Sequence, residues 1–304
     1  MIVIAQRHKE ALARQKQKFL AQSFQVHETA HFVFCRKQSS QHTVLLHAFQ
    51  QPEIDAELIC FIEKELSSSI PISSTREFGA VIFAVLASTF PSPRNQNAIW
   101  QRFCVNTLTK LRDQIAFPLF PPPEISYVAP FAAIYRRVFD LSTGQSLLDV
   151  GCSFGFLPVL IAERTADAVV IGCDTSPDAI SFSTHLANAV GIRNVTFTSQ
   201  DVLDVAILGL GTFDTVTAIH VLEHMDESDM SAALTHLLNL TSKRLIIAVP
   251  FEQHATFVYG HQQVFTPAKL EFWGQWCVKA LQGGGYFWRE DVAGGMLVVE
   301  RFSK

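Results

Sequence analysis

The stretch Leu147-Leu148-Asp149-Val150-Gly151-Cys152-Ser153-Phe154-Gly155-Phe156 runs an apolar strand straight into a turn of small residues and then a helix. Gly151 and Gly155 let the backbone approach a ligand where a Cβ would collide. A dinucleotide fingerprint is absent, because counting from Gly151 the second and third glycine positions of G-x-G-x-x-G fall on Ser153 and Phe156. No GK[ST] follows, which excludes a P-loop. Two more acids close apolar runs, Asp174 in VVIGCD and Asp201 in VTFTSQD. A carboxylate so placed can accept hydrogen bonds from both hydroxyls of a ribose. Acids at two successive strand ends suit a nucleoside rather than a phosphate, although each alone equally suits a cap, as in Asp174-Thr175-Ser176-Pro177.

A fourth apolar run, Phe213 to Ile219, delivers His220-Val221-Leu222-Glu223-His224-Met225. Val221, Leu222 and Met225 are expected to pack against the following helix, which leaves His220, Glu223 and His224 at the strand exit. Imidazole titrates near neutral pH, so His224 or His220, with Glu223 beside them, is the candidate base or orienting group. A purely structural role for His224 is an equal alternative. His220, Glu223, His254 and His261 could in principle gather around a divalent metal, but no ligand spacing requires it and none is expected.

These residues resemble motif I of the class I S-adenosylmethionine-dependent methyltransferases in a D-x-G-x-S-x-G variant, with Ser153 in place of the more usual middle glycine. The HVLEH segment is similar to that of ubiquinone- and menaquinone-type methyltransferases and their natural-product relatives. GHQQVFTPAKL resembles the GH-x-x-x-[FY]-[ST]-P segment of many small-molecule methyltransferases. A fainter likeness of VPFE and YGHQQVF is to enzymes acting on glycan hydroxyls, including the mycofactocin oligosaccharide type.

The resemblance covers about residues 126–304. It implies S-adenosylmethionine as cofactor and S-adenosylhomocysteine as product. The cofactor would be held by Asp149, Gly151, Cys152, Ser153, Gly155, Asp174, Thr175, Asp201, Val202 and His220, with Asp174 on the ribose, Asp201 and Val202 at the adenine, and Asp149 acting indirectly, by ordering the glycine turn and facing the methionine end of the cofactor. It also implies that Glu252, His254, Tyr259 and His261 wall an acceptor pocket, with Tyr127 and Tyr135 contributed by a helix that often lids the cofactor. In-line displacement at a sulfonium methyl needs no acid catalyst; it needs an oriented lone pair, exclusion of water and, for a hydroxyl, removal of a proton. The expected activity is O- or N-methylation of a small molecule, a secondary metabolite, with a sugar hydroxyl as runner-up and a catalytically silent cofactor-binding scaffold as the rival class.

The elements that must position these groups follow from periodicity. SLLDV, AVVIG, VTFTS, DTVTAI and RLIIAV are strand-length apolar runs separated by helical stretches, which predicts a parallel sheet covered on both faces. The tail from YFWRED to MLVVERF predicts a closing antiparallel hairpin. Together with the resemblance, this gives an α/β class: a seven-stranded Rossmann-like sheet with a C-terminal hairpin. Before it, Ile54, Leu58, Ile59, Phe61, Ile62 and Leu66, and then Ile99, Phe103, Cys104, Leu108 and Leu111, recur at helical spacing, with a buried helix between them ending at Pro91 and Pro93. His42 to Phe49 is ambiguous between strand and helix. His27 and His31, four apart, are read as surface histidines on one helix face. The proline-rich FPLFPPPEISYVAP predicts an extended connector and a boundary near residue 120: a mainly helical domain over 1–120, for substrate recognition, lid or oligomerisation, and a catalytic domain over 121–304.

Composition narrows the partners. In 304 residues there are 24 Lys and Arg against 28 Asp and Glu. The excess is basic over 1–125, with 13 basic and 10 acidic groups, and acidic over 126–304, with 11 and 18. An acidic catalytic half, with no NPPY-like tetrapeptide after the fourth strand, argues against nucleic acid. Arg7, Lys9, Arg14, Lys16 and Lys18 are read as a solvated helix face. Six dispersed cysteines without a CxxC pair fit a reducing compartment. The first residues lack a signal-peptide core and the apolar stretch Gly79 to Phe90 is too short for a bilayer, so a cytoplasmic protein without membrane segments, and possibly dimeric with itself, is expected.

Overall fold

A computed structural model describes residues 2–37, 43–66, 72, 74–91, 95–121, 123, 125–281 and 283–302. His42, Pro93 and Pro122 lie outside these. Contacts divide the chain into two units, residues 1–110 with 121–128, and residues 111–120 with 129–304. The expected boundary near 120 is thus one of three crossings: residues 111–120 group with the second unit and 121–128 with the first.

The first unit holds β1 (Ile2–Ala5), α1 (Lys9–Ala21), β2 (Phe24–Glu28), β3 (Phe32–Lys37), β4 (Thr43–His47), α2 (Glu57–Leu66), α3 (Thr75–Ser88) and most of α4 (Gln96–Ala116). Helices predominate, yet a four-stranded sheet in the order β1-β4-β3-β2 accompanies them. Helical periodicity had indicated only one ambiguous strand here. The strands are four to six residues long, too short for periodicity to separate strand from helix. Their inner faces bury Val33, Cys35, Val44 and Leu46, against which Leu12 and Phe19 of α1 pack. The ambiguous segment is β4, and α1 buries no residue fully, as a solvated face requires. His27 and His31 do not share a helix: His27 lies in β2, and His31 precedes β3, where its ring stacks on Phe61 at 3.9 Å.

The second unit contains α5 (Val128–Leu141), β5 (Ser146–Val150), α6 (Phe156–Arg164), β6 (Val169–Asp174), α7 (Pro177–Ala189), β7 (Val195–Ser199), β8 (Phe213–Ile219), α8 (Met230–Leu240), β9 (Thr241–Val249), α9 (Pro267–Ala280), β10 (Gly285–Asp291) and β11 (Gly295–Arg301). The seven-stranded sheet runs β10-β11-β9-β8-β5-β6-β7. β5 to β9 are mutually parallel and the terminal hairpin pairs antiparallel, as the apolar runs predicted. From β5 the chain builds outward to β7 and then returns to the opposite side of β5 with β8. That reversal opens a crevice beyond the carboxyl ends of β5 and β8, where open α/β sheets bind ligands. Leu148, Val216, Ala218, Leu245 and Ile247 fill the sheet interior between the helical layers. Proline starts α7 and α9, whose first turns are capped by Ser176 and Thr266. No helix among the described residues is long and apolar enough to cross a membrane.

Candidate active site

At the end of β5 the backbone amides of Gly151 and Cys152 both donate to the Cys173 carbonyl of β6, at 2.7 and 2.9 Å, and pin the turn to the neighbouring strand. Gly151 (φ 74°) and Gly155 (φ 76°) occupy the left-handed region. A Cβ on Gly151 would come within 2.4 Å of Val221 Cγ2, and one on Gly155 within 2.6 Å of Ser183 Cβ. The first contact brings the glycine turn against the HVLEH segment, two motifs that the sequence leaves far apart. Ser153, exposed and at φ 48°, shares the left-handed conformation. Cys152 is buried, and burial pushes its thiol pKa far up, so it lines the turn without acting as a nucleophile.

Asp174 accepts the Ser153 amide at Oδ2 and the Ser176 amide at Oδ1, both at 2.9 Å. The carboxylate thereby orders the glycine turn itself, a task the sequence reading gave to Asp149. The helix cap falls to Ser176, whose Oγ accepts the Ala179 amide at 3.3 Å. Each Asp174 oxygen retains a second lone pair for a hydroxyl donor. Asp149 is buried and accepts from Thr217 Oγ1 of β8 at 2.6 Å. Burial raises its pKa to about 7, against the Thr217 bond and with the Asp174 charge adding to the rise. Thr175 and Asp201 are exposed, Asp201 Oδ1 accepting the Leu203 amide at 2.9 Å, while Val202 is buried.

Beyond β8, His220 adopts φ 54°, a conformation costing a non-glycine residue about 1–3 kcal/mol and concentrated at functional sites. Its amide donates to the Ala248 carbonyl of β9 at 2.9 Å and its ring meets Phe131 of α5 at 4.9 Å. Burial lowers its pKa to about 4, which keeps the imidazole neutral at physiological pH. Val221 and Met225 pack on the core and Leu222 is buried within it, as expected from the sequence. Glu223 is fully buried and burial raises its pKa to about 8. His224 is exposed, and burial of part of its ring lowers its pKa.

The GHQQ segment is laced onto this turn. Gln262 and Gln263 donate backbone amides to the Glu223 carbonyl at 2.8 and 3.3 Å. Gln263 Nε2 donates to the carbonyls of Leu222 and Met225 at 2.8 and 3.0 Å, and Gln262 Nε2 to that of His224 at 2.7 Å. Neither glutamine was singled out in the sequence; their adjacency to Gly260-His261 was the available signal. The lacing carries His261 to within 5.0 Å of the His224 ring, centroid to centroid. Glu252 accepts from His261 Nδ1 at 2.8 Å and from Thr256 Oγ1 at 2.7 Å. Burial pushes the Glu252 pKa up, but those bonds outweigh it and hold the group below its usual range.

Tyr259 lies 5.9 Å from His261, ring to ring. His254 is exposed and does not join the histidines that approach Glu223. The two tyrosines proposed for a lid separate. Tyr135 is buried on α5 beside Phe131, whereas Tyr127 precedes α5, belongs to the first unit and donates its amide to Glu57 at 2.7 Å. Tyr127 lies just outside the helix, which begins at Val128. A cavity of about 470 Å³ lined by Arg112, Phe139, Leu160 and Arg164 contains none of these site residues.

Residues 147–244 match the family described as Methyltransferase domain. The chain is 35% identical over 107 residues to a magnesium-protoporphyrin O-methyltransferase of Synechocystis, covering 34% of this chain and 44% of that one. It is 27% identical over 124 residues to a probable (S)-tetrahydroprotoberberine N-methyltransferase of Papaver bracteatum, covering 41% and 34%. A ubiquinone biosynthesis O-methyltransferase of Acinetobacter baumannii is 30% identical over 84 residues, covering 28% and 35%. The chain therefore spans about a third to a half of the length of these curated relatives. A solved magnesium protoporphyrin IX methyltransferase of Synechocystis with bound S-adenosylmethionine superposes with a TM-score of 0.45 at 19% identity, over 64% of this chain and 97% of that one. Residues 147–244 thus carry a methyltransferase domain, similar to those of S-adenosylmethionine-dependent methyltransferases.

Proposed function

We propose that the protein transfers the methyl group of S-adenosylmethionine to an oxygen or nitrogen of a small molecule, a secondary metabolite. The observation that carries this reading is the abutment of the Gly151 turn, ordered by Asp174, on the Val221 segment, which sets a nucleoside-binding turn beside a cluster of polar side chains. Asp174 would receive the ribose hydroxyls, Asp201 and Val202 the adenine, and the backbone of Gly151 to Gly155 the rest of the nucleoside. When bound, the cofactor supplies an activated methyl on a sulfonium. The protein's own contribution is orientation and exclusion of water: His220 and Phe131 close one side, and Glu252, Tyr259 and His261 offer an acceptor wall. His224, exposed at the strand exit, is the candidate base, with His220 and Glu223 behind it. The domain's O- and N-methyltransferase relatives support a small acceptor. The acidic catalytic half opposes a nucleic-acid substrate, and six buried cysteines dispersed along the chain support a cytoplasmic setting.

The test is calorimetry with S-adenosylhomocysteine, followed by turnover with S-adenosylmethionine on a panel of catechols, secondary amines and methyl glycosides. Binding and methylation of a catechol or an amine are expected. Methylation confined to the glycosides would move the acceptor to sugars, and binding without turnover of any acceptor would favour a silent scaffold. Absence of S-adenosylhomocysteine binding would remove the reading altogether. The first unit is assigned to substrate recognition, lid or oligomerisation, the last of which light scattering of the full chain tests.

A further inference from the structure

The chain leaving α4 carries large apolar side chains that the fold leaves in water. Phe117 is 80% exposed, Leu119 54% and Phe120 96%. Phe117 still donates its amide to the Asp113 carbonyl at 2.8 Å, so the apolar strip projects directly from the helix end. Pro118 and Pro121 bracket Leu119 and Phe120, fix the local backbone and lack amide hydrogens, which makes the strip a poor edge for strand pairing. Single exposed apolar residues are ordinary, but three within four positions mark a surface that meets something.

Beside the strip, cations line a cavity. Ile115 and Ala116, the two residues before Phe117, share the cavity of about 470 Å³ with Arg112, Arg136 and Arg164. Its two acids are already engaged: Glu163 accepts from Arg112 Nε at 3.0 Å, and Asp140 stands 3.9 Å from Arg137 Nη1. Arg136 and Arg164, both exposed, have no carboxylate partner among the described residues. Arg164 instead lies over the Phe139 ring at 4.6 Å. Unpaired guanidinium groups next to bare apolar side chains suit an anion attached to apolar matter. A second copy of the chain would set the same cations against each other in a two-fold contact. An acidic peptide would need a groove or a strand edge, and side chains this exposed stand out from the surface instead of walling one. A bilayer needs neither, since fluid acyl chains close around a protruding ring. Because α6 runs back from the carboxyl end of β5, its last turn with Arg164 stands at the amino edge of the sheet, and docking there leaves the crevice open.

We propose that the end of α4 and the cavity beside it dock the protein on a membrane that carries anionic phospholipid. Phe117, Leu119 and Phe120 enter the boundary between headgroups and acyl chains, and Arg112, Arg136 and Arg164 receive the phosphates. The association is peripheral, in keeping with described helices too short or too polar to cross a bilayer. Apolar insertion and attraction to negative headgroups are each weak alone and act together here. The docking surface does not depend on the methyltransferase reading.

Sedimentation of the full chain with vesicles of phosphatidylcholine, alone or mixed with phosphatidylglycerol, measures the association. Binding to the mixed vesicles is expected, weakening as KCl is raised, with little binding to phosphatidylcholine alone. Phe117→Ser combined with Phe120→Ser should lower the affinity at least about tenfold. Arg136→Gln and Arg164→Gln should each lower it about fivefold, and Phe120→Trp should preserve it. Thermal melting followed by circular dichroism, unchanged from the parent chain, shows that each variant is folded. No binding to either vesicle, or folded variants that bind as the parent does, would overturn the surface. Equal binding to both vesicles would overturn the role of the arginines. Displacement from vesicles by free glycerol phosphate would overturn the membrane in favour of a soluble anion, and retention on polyglutamate without vesicle binding would overturn it in favour of an acidic peptide.

Discussion

Single side chains in this domain carry double duty, and Asp174 is the clearest. Its two oxygens already accept backbone amides from the glycine turn and from the cap of α7, while their remaining lone pairs face the proposed ribose. Asp174→Ala removes both functions. S-adenosylhomocysteine affinity should fall by about 1.5–3 kcal/mol, the range for hydrogen bonds to a charged group. Calorimetry measures it, and unchanged affinity would move the ribose elsewhere. Gln263 acts differently: its amide satisfies the Leu222 and Met225 carbonyls of the HVLEH turn. Gln263→Ala leaves two buried acceptors unmet and should cost about 1–3 kcal/mol in urea unfolding. A change within error would mean that water takes over both carbonyls.

The elements that carry these side chains depend on close approach between a turn and its neighbours. Gly155 opens α6 in a left-handed conformation, and a Cβ there meets Ser183 Cβ and the Phe197 ring at 2.6 and 2.8 Å. Gly155→Ala should therefore destabilise by about 1–2 kcal/mol through its backbone and by about 1–3 kcal/mol through overpacking. Thermal unfolding gives the measurement, and a shift of under about 0.5 kcal/mol would mean that α6 can slide away from β7. Elements at this scale were largely legible. SLLDV and RLIIAV became strands because parallel strands buried on both faces require continuous apolar runs, whereas VTFTS alternates and became β7, the half-buried strand at the end of the sheet. The sheet of the first unit was not legible, because β1 to β4 each offer only a few apolar residues and their pairing is set by one another.

At the scale of the whole molecule, stability is tied to pH through a histidine of the first unit. His47 is fully buried in the first unit; its Nδ1 accepts the Phe49 amide at 3.2 Å and Nε2 donates to Ser88 Oγ at 2.8 Å. Burial lowers its pKa from 6.5 to about 4. The unfolded chain therefore binds the proton first as pH falls: the contribution is complete above pH 6.5 and is lost progressively down to about pH 4. The loss amounts to about 3 kcal/mol. Urea unfolding of the parent chain and of His47→Gln between pH 7 and 4 should show the parent losing about that much more. Parallel curves would show that His47 protonates without penalty.

The sequence alone determined the strands of the second unit, the glycine turn and the acids that close β6 and follow β7, because each depends on residues adjacent in the chain: alternation and apolar runs select strands, and a missing Cβ permits a left-handed turn. Tertiary structure decided which acid orders that turn, where Tyr127 belongs and which histidines meet. For the company of Glu223 the sequence offered His220, His254 and His261. Only the folding of Gln262 and Gln263 onto the HVLEH turn selects His224 and His261, since hydrogen bonds between segments distant in the chain leave no period along it.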